Sequence, residues 1–319
     1  MKILITGSNG YLGRVLIKFF LDKGQKVIGI DKNSSITQES SNFKFCQIDL
    51  RSAQNFPELK KLLPVDVFIH AAFLLRTRMN PNKTLKGNLS LCENVFKLCF
   101  ESNIPKLIYF SSAAIYGAYP KNQLDYFFKE SDPQREEESA YGWQKALSEN
   151  LLSGLYGKSN KRTRVIVLRL ASAVGDSWKK EESKKISLLG FFQKLPFILK
   201  SSNKFSRQFI HENDVARACE FLISKQLDSD YEVFNLAPPD YLTIDEIAEI
   251  LKKRVVYLPP AVLRFLFYFG WLVSLGKIPT GYRAFKSYLY PINIDGKKIT
   301  QLGFKYKFNS QESLPSSKY

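Results

Sequence analysis

The chain has 319 residues, 45% of them hydrophobic and 24% charged, which is typical of a folded protein with a sizeable core. The net charge of +17 comes from scattered basic residues without a nucleic-acid-binding motif, so it indicates a solvated lysine-rich surface, or an affinity for anionic substrates or membranes, and no nucleic-acid partner. Four cysteines without a CxxC pair and two histidines far apart in the sequence argue against a disulfide framework and against a histidine metal site.

Short apolar runs alternate with helical patterns over the first half of the chain. The opening segment MKILITG is too short for the apolar part of a signal peptide, so it predicts a first strand and favours a cytoplasmic protein. The alternation predicts an α/β fold with a doubly wound parallel sheet. The predicted strands are 2–6, 26–31, 43–50, 65–72, 106–112 and 163–170, and the predicted helices are 14–24, 84–101 and 140–157.

The alternation fades after Gly175. Residues 209–223 predict a short strand that leads into a helix, residues 231–237 predict another strand, and the end of the chain from Ser310 predicts a loose tail. We therefore predict two parts. The main domain takes residues 1–175 and 208–236, and a smaller C-terminal lobe takes residues 176–207 and 237–319, including an apolar island at 188–199.

The stretch 261–276 is strongly apolar but contains Arg264 and Gly270. It is also shorter than the roughly 20 residues that a membrane-spanning helix needs. The pattern predicts a helix buried in the smaller lobe. Contact with a membrane surface, or a lid over an apolar substrate, are the alternatives.

Three glycines, Gly7, Gly10 and Gly13, follow the first strand in the segment GSNGYLG and lead into the first helix. Glycine permits a tight turn and a close approach of the backbone to a pyrophosphate, and a helix N-terminus presents free N–H groups to phosphates. The spacing GxxGxxG therefore predicts a dinucleotide site, with a purely structural turn as the alternative. The same site would include the intervening residues Asn9, Tyr11 and Leu12.

Asp31 ends the second strand and points to the identity of the dinucleotide. A carboxylate at this position accepts hydrogen bonds from both ribose hydroxyls and repels a 2′-phosphate. NAD is therefore predicted as the cofactor. Lys32 follows at once and would soften the preference, which leaves NADP open.

Two further strand ends carry residues suited to the same cofactor. Asp49 and Leu50 follow the third strand and are predicted to meet the adenine end, with a helix N-cap as the alternative role of Asp49. Ala71 and Ala72 end the fourth strand. Their small side chains would let a cofactor pass close to the sheet, with tight internal packing as the alternative.

Tyr141 and Lys145 lie four residues apart in a predicted helix, so one face of that helix carries both. A free tyrosine has a pKa of about 10, which a nearby ammonium lowers toward the range useful for acid–base catalysis. Because Tyr-x-x-x-Lys also occurs by chance in helices, the pair by itself leaves open a catalytic role and an ordinary helix surface.

Five motifs occur in a fixed order: GSNGYLG, IDK, HAA, YFSSAAIYG and YGWQK. Together they resemble the extended short-chain dehydrogenase/reductase family, which includes nucleotide-sugar epimerases and dehydratases, from residue 1 to about 236. The resemblance implies a Rossmann-type NAD-binding domain and a substrate-binding C-terminal lobe. It also implies a homodimer through a four-helix bundle, for which 84–101 and 140–157 are the candidate helices.

The resemblance assigns catalytic roles by position. Tyr141 and Lys145 match the family's catalytic tyrosine and lysine, and Lys145 would also bond the nicotinamide ribose. Ser112 matches the catalytic serine and would hold the substrate oxygen. Asn88 matches an asparagine in the helix before the fifth strand.

The resemblance also implies contacts to a small-molecule substrate. Arg207 matches an arginine that meets the diphosphate in sugar-nucleotide enzymes, and Ser172 stands where such enzymes often carry a substrate-binding asparagine. Ser112 would complete this group of contacts. His211 and Asp214, which follow Arg207 in the same segment, are predicted to brace it structurally.

Several departures from the family pattern bear on the reaction. Ala113 and Ala114 stand where dehydratases carry an Asp-Glu pair, so dehydration is disfavoured. The usual proline after Gly175 is absent, and Arg283 is only a loose match for a late arginine of the epimerases. Three hypotheses remain open. The first is an NAD-dependent epimerase-like enzyme of a nucleotide sugar. The second is an NAD(P)-dependent dehydrogenase or reductase of a more apolar alcohol or ketone, as in 3β-hydroxysteroid dehydrogenases or dihydroflavonol reductases, and the third is a non-catalytic cofactor-binding scaffold.

Overall fold

A computed structural model of the protein describes residues 1–34, 39–74, 81–177, 195–273 and 284–314. The strands, in chain order, are β1 (Lys2–Thr6), β2 (Lys26–Asp31), β3 (Phe43–Gln47), β4 (Val67–His70), β5 (Lys106–Ser112), β6 (Phe127–Phe128), β7 (Arg164–Leu170), β8 (Ser172–Val174), β9 (Phe197–Lys200), β10 (Ser206–Arg207), β11 (Phe209–His211), β12 (Tyr231–Leu236), β13 (Leu242–Thr243), β14 (Arg254–Tyr257) and β15 (Asn293–Ile294). The helices are α1 (Tyr11–Asp22), α2 (Phe56–Lys60), α3 (Pro81–Glu101), α4 (Ala140–Lys158), α5 (Glu212–Ser224), α6 (Ile244–Ile250), α7 (Pro260–Val273), α8 (Lys297–Gln301) and α9 (Ser310–Ser313).

The chain folds into two compact units. The first contains Met1–Ser112, Gln144–Arg169 and Val215–Phe234, and the second contains Ala113–Trp143, Leu170–Asp214 and Asn235–Tyr319. Residues 113–143 group with the second unit because β6 pairs in parallel with β15 near the end of the chain. The assignment of a cofactor-binding domain and a substrate-binding lobe stays a prediction.

The first unit is built on a seven-stranded sheet with the order β12-β7-β5-β4-β1-β2-β3. β1 pairs in parallel with both β2 and β4, so the sheet grows outward from β1 in two directions. Open α/β sheets bind ligands where the strand order reverses in this way, beyond the carboxyl ends of the strands. The register sets Thr6 opposite His70, and Gly7 and Ala71 therefore begin the two loops that leave this point.

Burial on both faces explains why the strands read as apolar runs. The consecutive residues Ile3, Leu4 and Ile5 are all fully buried although their side chains alternate between the two faces. On one face, strand residues such as Leu4 pack in a cluster with Phe96 of α3. These observations confirm the predicted Rossmann-type parallel sheet.

The four cysteines are all free thiols. Cys92, Cys99 and Cys219 are buried, and Cys46 on β3 is partly exposed. Burial raises the pKa of each of these thiols, and this effect is strongest for Cys99 and Cys219.

The second unit contains four two-stranded sheets among its described residues. β8 pairs in parallel with β11, and β9 with β14, whereas β10 and β13 are antiparallel. The predicted loose tail from Ser310 is wrong for residues 310–314. Asn309 and Glu312 form a capping box that starts α9, and the Ser310 hydroxyl accepts a hydrogen bond from the backbone N–H of Phe209.

The apolar stretch at 261–276 forms α7, which ends at Val273, and residues 274–276 lie outside the described part of the chain. The prediction of a buried helix is wrong, because only Leu263 and Phe267 of α7 are buried. Among the described residues, no helix combines the length and the apolar character that a bilayer crossing requires. Arg283 and residues 188–194 of the apolar island also lie outside the description, and the remainder of that island enters β9.

Candidate active site

The glycine loop between β1 and α1 has no room for side chains. Gly7 has a φ of +69°, and a Cβ there would lie 2.8 Å from the backbone N and Cα of Ala72. A Cβ on Gly13 would lie 2.1 Å from the carbonyl oxygen of Gly7. Because the obstacles are backbone atoms, a substitution at either glycine would force the loop to move. The small residue at Ala72 therefore lets the loop pack against the end of β4.

The N-terminus of α1 presents backbone N–H groups at this loop. Gly10 is the N-cap, and no side chain among the described residues makes a capping hydrogen bond there. The first turn holds no acidic residue that would repel a phosphate. Arg14, one turn into α1, is hydrogen-bonded through its Nη1 to the carbonyl oxygen of Asn9 and so braces the loop. This arrangement suits a pyrophosphate group.

Asp31 lies beside the glycine loop at the end of β2. Its Oδ2 accepts a hydrogen bond from the backbone N–H of Asn9 at 3.1 Å, and its Oδ1 accepts one from Asn33 N–H at 3.1 Å. Each carboxylate oxygen keeps a further lone pair with which to accept a hydrogen bond. Lys32, the next residue, is exposed. The carboxylate is thus oriented by backbone groups, as a ribose-binding residue requires.

Asp49 does not cap a helix, so the alternative role considered for it is wrong. It accepts hydrogen bonds from the Arg51 side chain, with Nε at 2.9 Å from Oδ1, and pairs with that guanidinium as a salt bridge. These hydrogen bonds from Arg51 lower the pKa of Asp49. Leu50, the residue between them, is buried. The contact of this turn with adenine stays a prediction.

Tyr141 and Lys145 lie one turn apart on α4, as their spacing predicts. Tyr141 is 37% exposed, so solvent or a ligand can reach it. Its neighbour Gly142 packs against the turn Ala113–Tyr116 that follows Ser112 in the chain. A Cβ on Gly142 would lie 2.5 Å from the Ala114 carbonyl oxygen, so this contact fixes the first turn of α4.

Lys145 is buried at the end of the sheet. Its Nζ donates a hydrogen bond to the carbonyl oxygen of Phe110 at 2.6 Å and lies 3.7 Å above the ring of Phe73. Burial lowers its pKa from 10.5 to about 8, while the charge of Glu149 acts in the opposite direction. A lysine in this state holds a charge that little water screens, which strengthens its effect on nearby groups.

His70 lies beneath this lysine and is fully buried. Its Nδ1 is 2.7 Å from Thr6 Oγ1, and its Nε2 is 3.6 Å from Cys92 Sγ. Burial, together with the charge of Lys145, lowers the pKa of His70 to about 3. His70 is therefore neutral near pH 7 and serves to join β1, β4 and α3.

The side chain of Asn88 on α3 is held by three hydrogen bonds. Its Oδ1 accepts from Leu74 N–H at 2.7 Å, and its Nδ2 donates to Leu74 O at 3.1 Å and to Gln144 Oε1 at 2.8 Å. These bonds tie α3 to the loop after β4 and to α4. The geometry favours positioning of the loop and of α4, and a catalytic role of Asn88 stays a prediction.

Arg207 and Ser172 belong to the second unit, where the pairing of β8 with β11 relates their positions. β11 begins two residues after Arg207, and its Phe209 pairs with Ser172. Arg207 donates from Nη2 to the Ser287 carbonyl oxygen at 2.9 Å, and its buried Nε has no hydrogen-bond partner among the described residues. The guanidinium thus retains donor capacity that an anion could use.

His211 and Asp214 both support the end of the chain. Asp214 Oδ2 accepts hydrogen bonds from the backbone N–H groups of Lys307 and Phe308, at 2.9 and 3.1 Å. The His211 ring stacks on Phe308 with centroids 3.9 Å apart. Both contacts are those of structural braces, in line with the sequence interpretation.

Comparison with known families decides the class of protein. The model of the NAD dependent epimerase/dehydratase family matches residues 3–237. The chain belongs to the NAD-dependent epimerase/dehydratase family. The match spans the glycine loop, Asp31 and the Tyr141–Lys145 pair. It confirms the resemblance to extended short-chain dehydrogenases/reductases, a family of enzymes whose cofactor is NAD.

Named members of this family resemble the chain over most of its length. A dTDP-4-dehydro-6-deoxyglucose reductase of Escherichia coli is 26% identical over 79% of this chain and 81% of its own length. A UDP-glucuronate 4-epimerase of Thermodesulfobacterium geofontis is 25% identical over 79% of this chain and 80% of its own length. The crystal structure of the Thermotoga maritima UDP-glucose 4-epimerase superposes with a TM-score of 0.77 at 20% identity, over 98% of this chain and 96% of that one. This structure shows that the fold is shared.

Three supporting residues escaped the sequence analysis. Gln144, which holds Asn88, stands between Tyr141 and Lys145 in the YGWQK motif but carries no motif signal itself. Glu149 and Arg169 form a buried salt bridge, 2.8 Å from Oε2 to Nη2, that joins α4 to β7. A charged residue inside an otherwise apolar strand, as in TRVIVLRL, was the available signal for Arg169.

Proposed function

We propose that the protein is an NAD-dependent epimerase of a nucleotide sugar in which Tyr141 is the acid–base residue and Lys145 tunes it. The observation that carries the proposal is the pair on α4, in which an accessible tyrosine lies one turn from a buried ammonium. The family relationship and the nucleotide-sugar enzymes among the relatives support the same chemistry.

The residues around the glycine loop fit NAD. Gly7, Gly10 and Gly13 leave space where side chains would stand, and the N-terminus of α1 would hold the pyrophosphate. Asp31 would accept hydrogen bonds from the adenosine ribose. NAD, when bound, supplies the hydride acceptor and donor for the reacting carbon.

Tyr141 would take the proton of the substrate hydroxyl and later return it to the same oxygen. Epimerisation requires that the ketone turn its opposite face to the nicotinamide before the hydride returns to the carbon. Lys145 stabilises the phenolate charge during this exchange, because its ammonium is held in a site with little water. A lysine pKa of about 8 keeps that ammonium largely protonated near neutral pH. Ser112 at the end of β5 would hydrogen-bond the substrate oxygen.

The substrate is proposed to carry a diphosphate. Arg207 retains an unused donor at Nε, and a buried guanidinium gains from pairing with a phosphate. Ser172, adjacent in register, would contact the sugar. Dehydration stays disfavoured because Ala113 and Ala114 provide no acid or base.

The direct test is Tyr141→Phe assayed with UDP-sugars for epimerisation. We expect activity to fall by about 10²–10⁴-fold, the usual contribution of a general acid–base group, while bound NAD is retained. Tyr126→Phe, on another exposed tyrosine, is the matched control and should keep full activity. Unchanged epimerisation by Tyr141→Phe would remove the proposal.

A reductase is the second candidate, because one relative, also matched over 79% of this chain, is a dTDP-4-dehydro-6-deoxyglucose reductase. The two reactions differ in what happens to the cofactor. The test is to denature the purified protein and identify the released nucleotide by mass spectrometry. Near-stoichiometric NAD favours the epimerase, which returns the hydride to its substrate in each turnover and so need not release its cofactor. An empty protein that oxidises NADH in the presence of a keto-sugar nucleotide favours the reductase. The homodimer through α3 and α4 also stays a prediction.

A further inference from the structure

Helix α7 is apolar on its exposed side as well as on its buried side, unlike an ordinary surface helix. Leu263 and Phe267 face inward, and the Phe267 ring packs edge-on against Tyr288 with centroids 4.7 Å apart. At about 100° per residue, the opposite side of the helix should be polar. It is apolar instead. The side chains of this outer face are Val262, Phe265, Leu266, Phe269, Leu272 and Val273, between 41% and 66% exposed.

The segment that leads into α7 continues the exposed apolar surface along the chain. All four residues of β14 are exposed, including Val255 at 38%, Val256 at 39% and Tyr257 at 63%. On α7 itself, Tyr268 and Trp271 flank the outer face and are also exposed. Exposed aromatic side chains of this kind, with an apolar ring and a polar atom, are typical of the boundary between lipid and water.

The charges within the chain segment that forms this surface are all of one sign. In the sequence, residues 251–294 contain no acidic residue and carry seven basic ones: Lys252, Lys253, Arg254, Arg264, Lys277, Arg283 and Lys286. Lys277 and Arg283 lie outside the described residues, and Lys286 pairs with Glu138. The whole chain has a net charge of +17. A second copy of the chain would bring a like-charged surface against this one, which opposes self-association through α7. An anionic lipid surface offers both an apolar layer for the helix and opposite charge for the basic residues.

We propose that α7 and β14 bind the protein to the surface of an anionic bilayer, with the outer face of α7 inserted below the headgroups. The helix has 14 residues and is about 21 Å long, less than the roughly 30 Å hydrocarbon core, so it lies in one leaflet along the plane of the membrane. Arg264 and the basic residues before β14 remain at headgroup level. The surface uses none of the residues assigned to catalysis.

The test is flotation of the purified full-length protein with vesicles. We expect binding to vesicles of phosphatidylcholine and phosphatidylglycerol in equal parts, weak binding to phosphatidylcholine alone, and release from the anionic vesicles by high salt. The double variant Phe265→Ser/Phe269→Ser should lower the partition coefficient by about tenfold or more, since two large apolar side chains no longer insert. Lys252→Glu/Arg254→Glu should weaken binding to the anionic vesicles only.

Tyr126→Ser, at 48% exposure, matches Phe269 at 51% and is the control that should still float. Retained NAD and an unchanged unfolding transition show that each variant is folded. Equal flotation of Phe265→Ser/Phe269→Ser and wild type would overturn the proposal, as would no flotation of the wild type. A wild type that sediments as a dimer without binding vesicles, and becomes monomeric in the double variant, would identify α7 as a self-association surface instead.

Discussion

At the scale of single residues, Asp31 shows how a backbone framework prepares a side chain for a ligand. Two N–H groups, from Asn9 and Asn33, hold its carboxylate at the end of β2. In the role that we propose for Asp31, the charge would accept hydrogen bonds from two ribose hydroxyls and would repel a phosphate at the same place. Lys32 is exposed and follows directly, so it would be the residue to meet a 2′-phosphate if Asp31 were neutral.

The first prediction concerns Asp31→Asn. We expect NAD affinity to fall by about 10–100-fold, because hydrogen bonds to a charged acceptor contribute roughly 1.5–3 kcal/mol, and discrimination against NADP to shrink. Isothermal titration with both cofactors measures this change. Asp22→Asn, on an exposed aspartate at the end of α1, should bind as the wild type does. Equal NAD affinity of Asp31→Asn and wild type would contradict the role.

Some residues of the site could be predicted from the sequence and others could not, for a physical reason. Gly7, Gly13 and Asp31 meet the requirements of one local turn. Their residue types and their spacing in the sequence are therefore enough to predict them. The partner of Asn88 is Gln144, which is 56 residues away in the chain. Nothing in a single sequence marks that pair, because either residue would be unremarkable in a helix alone.

At the scale of elements, α4 is fixed at its first turn and again in its middle. The first contact is Gly142 against the Ala114 carbonyl. The second is the salt bridge of Glu149, 3% exposed, with Arg169, 5% exposed. These contacts set where Tyr141 and Lys145 lie along the helix axis.

Gly142→Ala should therefore impair catalysis through geometry. Its Cβ would meet a backbone oxygen at 2.5 Å, so the turn that carries Tyr141 must shift, and a displacement near 1 Å can cost about 10²-fold in rate. Gly154→Ala on the same helix is the matched control. Apart from its chain neighbours and the backbone of its own helix, no atom of the described residues lies within 4 Å of its Cβ position, so the substitution should stabilise the protein by about 0.5–1 kcal/mol without loss of kcat. Similar kcat values for the two variants would refute the positioning role.

The buried salt bridge should contribute much more to the free energy of unfolding than an exposed ion pair does. Glu149→Gln leaves a buried guanidinium without its carboxylate, and we expect the free energy of unfolding to fall by about 3–5 kcal/mol. Glu93→Gln, in the exposed pair with Lys97 on α3, should change it by less than about 0.5 kcal/mol. Urea unfolding of both variants gives the comparison. A small effect at Glu149 would mean that water reaches Arg169.

Elements differed in how well the sequence predicted them. β1, β2 and β5 have the predicted bounds because apolar runs end at glycine or polar residues. The burial of α7 was predicted wrongly, since hydrophobicity reports a preference to leave water and does not identify what covers the helix. The tail from Ser310 was predicted wrongly because a capping box in four residues gives a weak signal outside an apolar pattern.

At the scale of the whole molecule, His70 couples stability to pH. Its pKa is about 3 in the folded state and 6.5 as a model value, so between these values the unfolded chain binds a proton that the folded chain does not. The free energy of unfolding should therefore fall as the pH drops below 6.5, by up to about 1.4 kcal/mol per pH unit. Stability from this group is fully present above pH 6.5.

His70→Gln removes that proton uptake while it keeps a polar side chain beside Thr6. We expect the variant to be less stable at neutral pH. Between about pH 6.5 and 5, its free energy of unfolding should decline less steeply than that of the wild type, because unfolding takes up close to one proton fewer. Urea unfolding across this range measures the slope. Parallel slopes for His70→Gln and the wild type would show that His70 is protonated in the folded protein.

The exposure of the four thiols differs, which offers a natural labelling position for following nucleotide binding. Cys46 is the one partly exposed cysteine of the four, and its neighbour Gln47 pairs in register with Asp31 across β2 and β3. A maleimide dye would therefore attach at Cys46 first, one strand position from the register partner of Asp31, whose carboxylate we assign to the adenosine ribose. Because burial raises the pKa of this thiol, labelling should be faster in alkaline buffer. Emission from a dye at this position would follow the arrival and departure of a nucleotide without any engineered cysteine.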